Sequence, residues 1–383
     1  MKRIIISLTL FSIAISLGII GALNAQQALP RIETSTYTSA KVCAQCHEAI
    51  YSMWKNSLHS GSLTDPIFDV AYMQALKLSG GKAKTFCLRC HAPTTRVTKD
   101  YDLTQEINKE GVTCDFCHTI AGVDMRNDRE PFRLRPGLVK RGPYKDVSSP
   151  AHKVAYSEVH TRSEICGGCH EIRGKNGVSI MSTYSEWKAG PYAKEGKQCQ
   201  DCHMPYTEAL IVKPEVKGSK KRVNLHNIQG GHSIEQVRKA ARVRLLEVNR
   251  VEDRAFVRVE VANIGSGHMI PTGIPSRELV LTLVAKNAKK KVLHKEEMVF
   301  RRVLADEKGT ELKTDAETLL KAARVLMDNR IAPREAREVR FAFDVPRHEE
   351  VTIESTLTYR YPLLVITPQE MAIEMGMDSQ VLR

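Results

Sequence analysis

Every cysteine of the chain lies in a five-residue pattern that occurs five times. The ten cysteines form the pairs Cys43/Cys46, Cys87/Cys90, Cys114/Cys117, Cys166/Cys169 and Cys199/Cys202. A histidine directly follows each pair: His47, His91, His118, His170 and His203. Two thiols separated by two residues can bond the two vinyl groups of a haem, and the next imidazole reaches its iron. The repeats predict five covalently attached haem c groups with these histidines as proximal ligands.

Two other chemistries use paired cysteines, and both explain less of the pattern. Disulfides suit an exported protein but do not require a histidine after each pair. A structural zinc ion uses two pairs, and five pairs do not divide into whole sites of that kind. Haem attachment accounts for every member of the pattern.

The net charge of +13 has a different meaning once haems are expected. A basic chain can bind nucleic acid, anionic lipid or an acidic protein. Each haem, however, carries a pair of propionate carboxylates, so five haems offset most of this charge. We therefore read the basic composition as internal compensation and expect no nucleic-acid partner.

The histidines outside the motifs decide whether both axial positions of each haem iron are filled, in which case the haem is closed. A haem with two axial histidines moves electrons, whereas one with an open position can bind and transform a small molecule. Six histidines are candidates for the distal position: His59, His152, His160, His226, His232 and His268. Six candidate histidines are enough for five distal positions, so their number favours five closed haems. His294 and His348 lie among charged residues and are expected to be solvated.

The candidate nearest to a motif in sequence, His59, is predicted to serve a haem other than its own. The stretch EAIYSMWKNSLH lacks Pro and Gly and has apolar residues at helical spacing, which predicts a helix up to His59. Such a helix would separate His47 and His59 by about 18 Å. Two imidazoles that share one iron have their nitrogens about 4 Å apart. The alternative is a histidine on the helix surface.

The other candidates are placed by turn residues. A helix capped by Thr161 or Ser163 would direct His160 away from its own motif. His152 follows Pro150 in a loop, and glycines precede His232 in LHNIQGGHS, where His226 also lies. His268 belongs to the loop NIGSGHMIPTGIP. That loop is either a structural turn or a ligand donated across a domain interface.

The distribution of residue types along the sequence divides the chain into three regions. Residues 1–25 have a positive start, an apolar run and small residues at the end, as in a secretory signal, with an uncleaved anchor as the alternative. Residues 26–235 hold the motifs between short helices and loops. Residues 236–383 alternate apolar and polar residues, which predicts an antiparallel β-sandwich of immunoglobulin-like size. A short helix, AETLLKAARVL, interrupts its strands. The predicted fold class is α+β.

Several stretches resemble multihaem c-type cytochromes of the cytochrome c-554 and hydroxylamine-oxidoreductase-related group. They are CAQCHEAIYSMWKNSLHS, EGVTCDFCHTIAG, SEICGGCHEI, TYSEWKAGPYAKEGKQCQDCHMP and LHNIQGGHS, with GHMIPTG before the β segments. The resemblance implies distal ligation by histidines placed like His59, His160 and His226. The chain departs from the group in having five motifs, and it has no CxxCK motif of the kind that marks pentahaem nitrite reductases.

These observations predict an exported pentahaem cytochrome that carries electrons through bis-histidine haems. Its partners would be redox proteins, with a quinol-linked or periplasmic donor and an acceptor, in the periplasm or outside the cell. Membrane contact would occur only through an uncleaved N-terminal segment. Two alternatives stay open. One is an enzyme of small nitrogen or sulfur compounds at one open haem, with His152 and Tyr192 as acid–base groups. The other is self-association into an extracellular filament.

Overall fold

The computed structural model describes residues 31–32, 36–215, 221–361 and 372–383. The predicted secretory segment, residues 1–25, lies outside these ranges. Within them, no helix combines the length and the apolar character that a membrane crossing requires.

The first part of the chain consists of short helices joined by turns. The helices are α1 (Ala40–Ala44), α2 (Glu48–Lys55), α3 (Pro66–Ser79), α4 (Ala83–His91), α5 (Thr95–Thr98), α6 (Cys114–His118), α7 (Glu164–Gly167), α8 (Thr183–Ala189), α9 (Pro191–Lys194) and α10 (Cys199–His203). Three 3₁₀ turns, Glu106–Glu110, Glu158–Thr161 and Lys175–Gly177, lie between them. Helices this short cannot bury a core of their own, so they depend on what they pack against.

Helix α3 is capped at both ends, by a side chain at its start and by a glycine at its end. Asp65 accepts a hydrogen bond from the backbone N–H of Ile67 and so caps the start of α3. Gly80, at a φ of 59°, ends it in the left-handed conformation that glycine adopts without a Cβ clash. These caps account for the length of α3, the longest helix in the described part of the chain.

The helix predicted through His59 is shorter than predicted. Helix α2 ends at Lys55, and the Ser57 hydroxyl bonds the carbonyl of Trp54 at 2.7 Å. A serine hydroxyl that bonds a nearby backbone carbonyl competes with helix continuation. The chain then turns from Asn56 to Thr64, and His59 lies in that turn.

Small strand pairs connect the helices. The strands are β1 (Ile120–Val123), β2 (Phe132–Leu134), β3 (Val139–Gly142), β4 (Lys153–Tyr156), β5 (Ile172–Arg173), β6 (Ser179–Met181), β7 (Tyr206–Glu208) and β8 (Arg222–Asn224). They form the pairs β1–β2, β3–β4, β5–β6 and β7–β8, of which β3–β4 is parallel. An isolated pair of strands is only marginally stable. Here the pairs connect the segments that carry the motifs.

The second part of the chain is an antiparallel sandwich. It begins with α11 (Ile234–Ala240) and contains β9 (Ala241–Val251), β10 (Arg254–Asn263), β11 (Glu278–Asn287), β12 (Val292–Phe300), β13 (Arg302–Ala305), α12 (Asp315–Lys321), β14 (Arg324–Asp328), β15 (Ala336–Asp344), β16 (Val351–Arg360) and β17 (Ala372–Leu382). One sheet has the order β15-β10-β9 and the other β12-β11-β16-β17. The α+β fold class predicted from the sequence is confirmed.

One apolar core fills the space between the two sheets. Leu281, Leu283 and Ile353 are fully buried in it, together with Val257 and Val259 from the opposite sheet. The alternating burial of β9 and β10 is the period-two pattern that the sequence shows in ARVRLLEV and AFVRVEVAN. The sandwich therefore has a protein core that does not depend on any cofactor.

The interrupting helix docks against the first part of the chain. Helix α12 spans residues Asp315–Lys321, which is shorter than the predicted 316–326, because the chain continues into strand β14. Ala316, fully buried, packs with Phe68 and Ala75 of α3 and with Ala83 and Cys87 of α4. This helix thus joins the sandwich to the segment that carries the second motif.

Replacing Leu283 with Ala should destabilise the sandwich by about 2–5 kcal/mol, because it leaves a cavity in a core that cannot collapse around it. Leu283 is fully buried. Urea unfolding of the intact protein measures the change. The matched control is Leu246→Ala on β9, where the side chain is 37% exposed and the same truncation should cost well under 1 kcal/mol. Equal losses for the two variants would contradict the described core.

Candidate functional site

Short helical turns bring the two cysteines of a motif to one side. Helices α4, α6 and α10 end on the histidine of their motif and contain both of its cysteines. Residues three apart share a helix face, so the two thiols of each of these pairs point the same way. Helices α1 and α7 contain only the first cysteine of their motifs. The second cysteine of those two motifs is therefore placed by a turn.

The first motif departs from the helical arrangement at Cys46. Helix α1 ends at Ala44, so Cys46 lies in the turn between α1 and α2. Its backbone N–H donates to the carbonyl of Cys43 at 3.2 Å, and Cys169 makes the equivalent bond to Cys166 at 3.1 Å. The Cys46 carbonyl accepts from the backbone N–H of Lys213 at 2.7 Å rather than from a further helical turn. This distant contact is the physical reason why the helix does not run on through the motif.

The sequence predicts haem attachment through both cysteines of every motif, Cys46 included. The cysteine thiols that lie close together belong to different motifs. Within the described ranges, Cys46 takes part in none of these contacts. The spacing of one turn between Cys43 and Cys46 is kept all the same, because the bond between their backbones closes that turn. Haem attachment through Cys46 stays a prediction from the motif.

The ten cysteines all lie in described ranges, and no disulfide joins any two of them. Cys87 is buried, Cys202 is exposed, and the other eight are half-buried: Cys43, Cys46, Cys90, Cys114, Cys117, Cys166, Cys169 and Cys199. The same ranges hold no cluster of His, Cys, Asp or Glu side chains fit for a bare metal ion. The paired thiols with their adjacent histidines fit the two thioether bonds and the axial imidazole of haem c instead.

Backbone carbonyls orient four of the five motif histidines. The Nδ1 atoms of these histidines contact carbonyl oxygens as follows: His47 with Ile211 at 2.6 Å, His91 with Ser62 at 2.9 Å, His118 with Arg141 at 2.5 Å and His203 with Gln229 at 2.5 Å. A carbonyl only accepts, so Nδ1 carries the proton and the Nε2 lone pair is free. A hydrogen bond on one ring nitrogen, with the other nitrogen free, is the arrangement found at metal-binding histidines.

Four motif histidines face a second histidine from elsewhere in the chain. The ring-centroid separations are 6.3 Å for His47 and His152, 6.5 Å for His170 and His59, 6.4 Å for His118 and His226, and 6.3 Å for His203 and His268. Two imidazoles on opposite sides of one metal, each about 2 Å from it, have centroids roughly 6.2 Å apart once the ring radii are added. The four pairs therefore have the spacing that an iron between them requires.

His118 has two histidine neighbours, and only one of them has this spacing. The His160 ring lies 5.5 Å from the His118 ring, too close for a metal between them. Its Nε2 donates to the carbonyl of Cys117 at 3.0 Å, while its Nδ1 is buried without a partner. His226 uses Nδ1 to contact the carbonyl of Asn224 at 2.7 Å, which leaves its Nε2 free. The geometry thus favours His226 over His160 as the residue opposite His118.

The motif histidine His91 has no histidine opposite it. All histidines of the chain lie in described ranges, and the ring that pairs with His91 is that of Phe68, stacked at 3.7 Å. His232, the remaining candidate, forms no ring pair with a motif histidine and lies near Arg277 and Asp65. The six candidates therefore supply four facing pairs of histidines, and no histidine faces His91.

Two residues proposed for other roles lie away from His91. His152 faces His47, and Tyr192 packs against Gly267 beneath the guanidinium of Arg334. Neither position fits the acid–base role that the sequence left open at an open haem. His294, expected to be solvated, instead stacks on Phe343 at 4.2 Å.

Burial keeps the facing histidines neutral. Together with a smaller contribution from neighbouring histidines, it lowers the pKa of His59 and of His226 to about 4 and that of His170 to about 3. A neutral imidazole has the free lone pair that a metal needs, whereas a protonated one does not. At neutral pH these side chains are ready to bind iron.

Contacts between thiols show which motifs are neighbours. Thiols of different motifs lie close enough to shift each other's pKa: Cys43 with Cys114, Cys90 with Cys169, and Cys166 with Cys199. Cys117 lies close enough to Cys166 and Cys169 to raise the pKa of both. The first motif therefore lies beside the third, the third beside the fourth, and the fourth beside both the second and the fifth.

The loop that carries His59 is attached to the stretch before the third motif. The carbonyl of His59 accepts from the backbone N–H of Val112 at 2.8 Å, and the indole N–H of Trp54 donates to the carbonyl of Val112 at 2.8 Å. Gly111 has a φ of 66°, and a Cβ there would lie 2.6 Å from the His59 carbonyl oxygen. The glycine is thus required by both conformation and space. Trp54 acts here as a buried structural residue.

The loop that carries His268 is fixed from the first part of the chain. Glu186 of α8 accepts from the backbone N–H of Met269 at 3.2 Å and from the hydroxyl of Thr272 at 2.7 Å. Its other oxygen accepts from Arg330 at 2.7 Å. The side chains of Glu186 and Arg330 are only 8% and 6% exposed, so this is a buried ion pair. The sandwich is thereby attached where His268 reaches His203.

Sequence reasoning did not identify the Glu186–Arg330 pair. The only signal was local: Glu186 is a carboxylate in the middle of TYSEWKAGPY, next to the buried Trp187. Arg330 is distant in sequence and lies in a stretch with no motif. A pair formed by two distant residues leaves no pattern that a single sequence can show.

The glycines inside the fourth motif have a packing reason. A Cβ at Gly167 would lie 2.7 Å from the Tyr184 ring, and one at Gly168 would collide with the Phe132 ring. Both aromatic rings therefore pack directly against the backbone of CGGCH. Larger residues there would push the fourth motif out of place.

Comparison with known proteins was made on the whole chain. Residues 42–119, which hold the first three motifs, match the family model described as "Cytochrome c554 and c-prime". The solved structure of a penta-heme cytochrome c552 from Thermochromatium tepidum matches 91% of this chain and 100% of its own, with a TM-score of 0.73 and 23% identity. That likeness shows a shared fold over nearly the whole chain.

Other structural matches cover a smaller share of the chain. A CARDB domain from Pyrococcus furiosus matches 37% of this chain and 84% of its own at 10% identity, with a TM-score of 0.20, which carries no argument. No curated protein matches the chain in sequence. The five motifs, three of them within the family match, make the chain one that binds five covalently attached haem c groups.

Replacing Glu186 with Gln should cost about 1.5–3 kcal/mol of unfolding free energy, because a charged hydrogen bond to buried Arg330 is lost while Asp328 still pairs with it. Urea unfolding at pH 7 measures this. The control is Glu195→Gln, whose exposed pair with Arg334 should contribute less than about 1 kcal/mol. Equal costs for both variants would contradict a buried interdomain pair.

The cost of Glu186→Gln should also depend on pH. Burial by itself would raise the pKa of Glu186, but Arg330 and the hydroxyls of Ser182 and Thr272 lower it overall. A carboxyl whose pKa is lowered on folding stabilises the fold above its unfolded pKa and loses this as pH falls through the folded pKa. The difference between wild type and variant should therefore shrink on acidification below about pH 4.

Proposed function

We propose that this multihaem c-type cytochrome transfers electrons between redox proteins through haems that the chain holds as a connected series. The observation that carries the proposal is the set of four facing histidine pairs, with centroids 6.3 to 6.5 Å apart. Covalently bound haem supplies one-electron chemistry at an iron whose two axial positions are filled by imidazole. Such closed sites exchange electrons without binding a substrate.

In the proposed assignment four of the five proximal histidines have a distal partner from a distant segment. His47 is paired with His152, His118 with His226, His170 with His59 and His203 with His268. The carbonyls bound to Nδ1 hold the rings in place and raise the basicity of Nε2. The protein's task is therefore to present neutral, fixed imidazoles and to keep neighbouring sites close.

The order of neighbouring sites follows from the thiol contacts. The first, third, fourth and fifth motifs form a series, and the second motif joins it at the fourth through Cys90 and Cys169. Electron transfer falls steeply with distance, so sites whose attachment residues touch are suited to exchange. This arrangement supports a path through the protein with one side branch.

The side branch supports a second candidate function. His91 has no histidine opposite it, and its ring stacks on Phe68 instead. A haem that lacks one strong axial ligand can bind a small molecule such as nitrite, hydroxylamine or nitric oxide. Reduction or oxidation of a small nitrogen compound at this site, fed through the fourth motif, is the alternative to a pure carrier.

The cellular setting is proposed from the sequence. Covalent haem attachment and the secretory pattern in residues 1–25 support an exported protein, in the periplasm or outside the cell. A quinol-linked or periplasmic protein is the proposed donor, and a second redox protein is the proposed acceptor.

The ligand assignment is tested with a pair of histidine variants. His226→Ala should convert one haem from low spin to high spin, because the iron opposite His118 loses an imidazole. His160→Ala, next to the same ring, should leave all spin states unchanged. Electron paramagnetic resonance of the oxidised proteins reads the change, and a haem count confirms full attachment. A high-spin signal from the His160 variant and none from the His226 variant would reverse the assignment.

The open site is tested on the unmodified protein. One haem of the five should be high-spin in the oxidised protein as purified, and cyanide should convert that one alone to low spin. His59→Ala is the matched comparison, since it should add a second high-spin haem at the fourth motif. Five low-spin haems would remove the small-molecule candidate. Turnover of nitrite or hydroxylamine with a redox dye separates an enzyme from a carrier with an open site.

A further inference from the structure

Arg96 is a buried cation directly beside the second motif. It lies in α5, the short helix that follows the histidine of that motif. Its side chain is only 2% exposed. A guanidinium stays protonated inside a protein, so it is tolerated in a buried position only where acceptors surround it.

Acceptors from two separate segments hold this guanidinium. Its Nε donates to the carbonyl of Arg89 at 2.7 Å, and Arg89 stands between the two cysteines of the second motif. Its Nη1 donates to the carbonyl of Arg129 at 3.2 Å and to the carboxylate of Glu130 at 2.7 Å. One planar group therefore joins the backbone of the second motif to the segment that leads into β2.

The ring of Phe132 extends this contact to two further motifs. It lies under the guanidinium of Arg96, 5.3 Å from the ring centroid. The same ring meets Phe116 of the third motif edge to face, at 5.4 Å between centroids. It also packs so closely on Gly168 of the fourth motif that a Cβ there would collide with it. Direct contacts thus run from the second motif through Arg96 and Phe132 to the third and the fourth.

The cation also lies near the sulfur atoms of two motifs. Cys169 and then Arg96 lower the pKa of Cys90 to about 6 against the effect of burial, and the guanidinium opposes the rise in the pKa of Cys169. These two sulfurs become thioethers when haem is attached, so they mark the edges of two haems. Nη2 of Arg96 is buried and has no hydrogen-bond partner among the described residues.

The carboxylate that pairs with Arg96 leaves a net positive field on the buried side. The side chain of Glu130 is 60% exposed, whereas that of Arg96 is enclosed. Water and salt screen an exposed charge much more than a buried one. The field of the guanidinium therefore dominates at the haem edges that Cys90 and Cys169 define. A positive field favours reduced iron, because reduction adds an electron.

We propose that Arg96 is a positioning residue that holds the haem of the second motif for electron exchange with the haem of the fourth, and that its charge favours the reduced state of the second. The proposal rests on the proposed function, because it explains how the second motif joins the series. The bridge needs donors in two directions from one planar group, which a lysine cannot provide. Phe132, packed between Arg96 and the fourth motif, fixes the distance between them.

The charge is tested by spectroelectrochemical titration of the full-length protein with all haems attached. In Arg96→Met one of the five redox transitions should move to lower potential, because the buried cation is gone. Arg96→Lys keeps a charge and should move the same transition less. The matched control is Arg126→Met, which removes a 90% exposed arginine from the segment before β2 and should change no transition.

The position is tested by flash photoreduction of the oxidised protein, with electron arrival followed at the high-spin haem proposed for the second motif. Its reduction should be slower by about tenfold or more in both Arg96→Met and Arg96→Lys, because exchange depends steeply on how the two sites are held. Arg126→Met should keep the rate of the unmodified protein. A slow rate in the lysine variant at a nearly unchanged potential is a result that a charge effect alone would not give.

Other outcomes overturn the proposal. Five unchanged transitions in Arg96→Met would exclude the charge effect, and an unchanged rate in Arg96→Lys would exclude the positioning role. An equal shift in Arg126→Met would show that the field is not local to Arg96. If the methionine variant attaches fewer than five haems, the lysine variant decides by its rate. Five low-spin haems in the unmodified protein would remove the open site of the proposed function and leave the titration to judge Arg96, so the two can fail separately.

Discussion

The structure depends on bringing two imidazoles face to face at a spacing set by metal–nitrogen bonds. A motif fixes only one imidazole, since the thiols and the histidine come from five consecutive residues. The second imidazole has to come from another segment, and in the four pairs that segment is distant in sequence from the motif. Most of the loops in the first part of the chain can be understood as devices that hold a distal histidine. The Gly111–His59 contact and the Glu186–Met269 hydrogen bond are two examples.

The sandwich contributes to the redox centre more than the sequence indicates. Its own core is apolar and complete, so it folds on principles that involve no haem. From this rigid body one loop carries His268 towards the fifth motif, and Arg330 pairs with Glu186 beside that loop. Helix α12 adds a third contact against the segment of the second motif. A rigid sheet is a suitable base for such loops, because small displacements of a ligand change both its binding and the potential of the iron.

How much could be predicted from the sequence differs from feature to feature. The motifs and the α+β class could be predicted because they follow from local patterns, namely CxxCH and period-two alternation. Such patterns can be recognised in a single sequence. The length of α2 was predicted wrongly, because the Ser57 hydroxyl competes for a backbone carbonyl that helical periodicity does not take into account.

Which histidine faces which motif was left open by the sequence, since it depends on loop paths. His160 shows the difficulty. It is buried and close to a motif histidine, yet 5.5 Å is not a distance that an iron can fill. The fourth motif is where the constraints on these loops meet. Its cysteines contact those of the second and fifth motifs and lie near those of the third, so an electron that enters at the side branch has to pass it.

The surroundings of the fourth motif are fixed from three directions. Its backbone is packed against Phe132 and Tyr184 through two glycines, its facing histidine comes from the Gly111-supported loop, and its cysteines lie beside those of the second and fifth motifs. A junction has to accept electrons from one neighbour and deliver them to another, so its potential must lie between theirs. A nearby fixed charge, whose effect is strong where water is excluded, is a direct way for a protein to set that value.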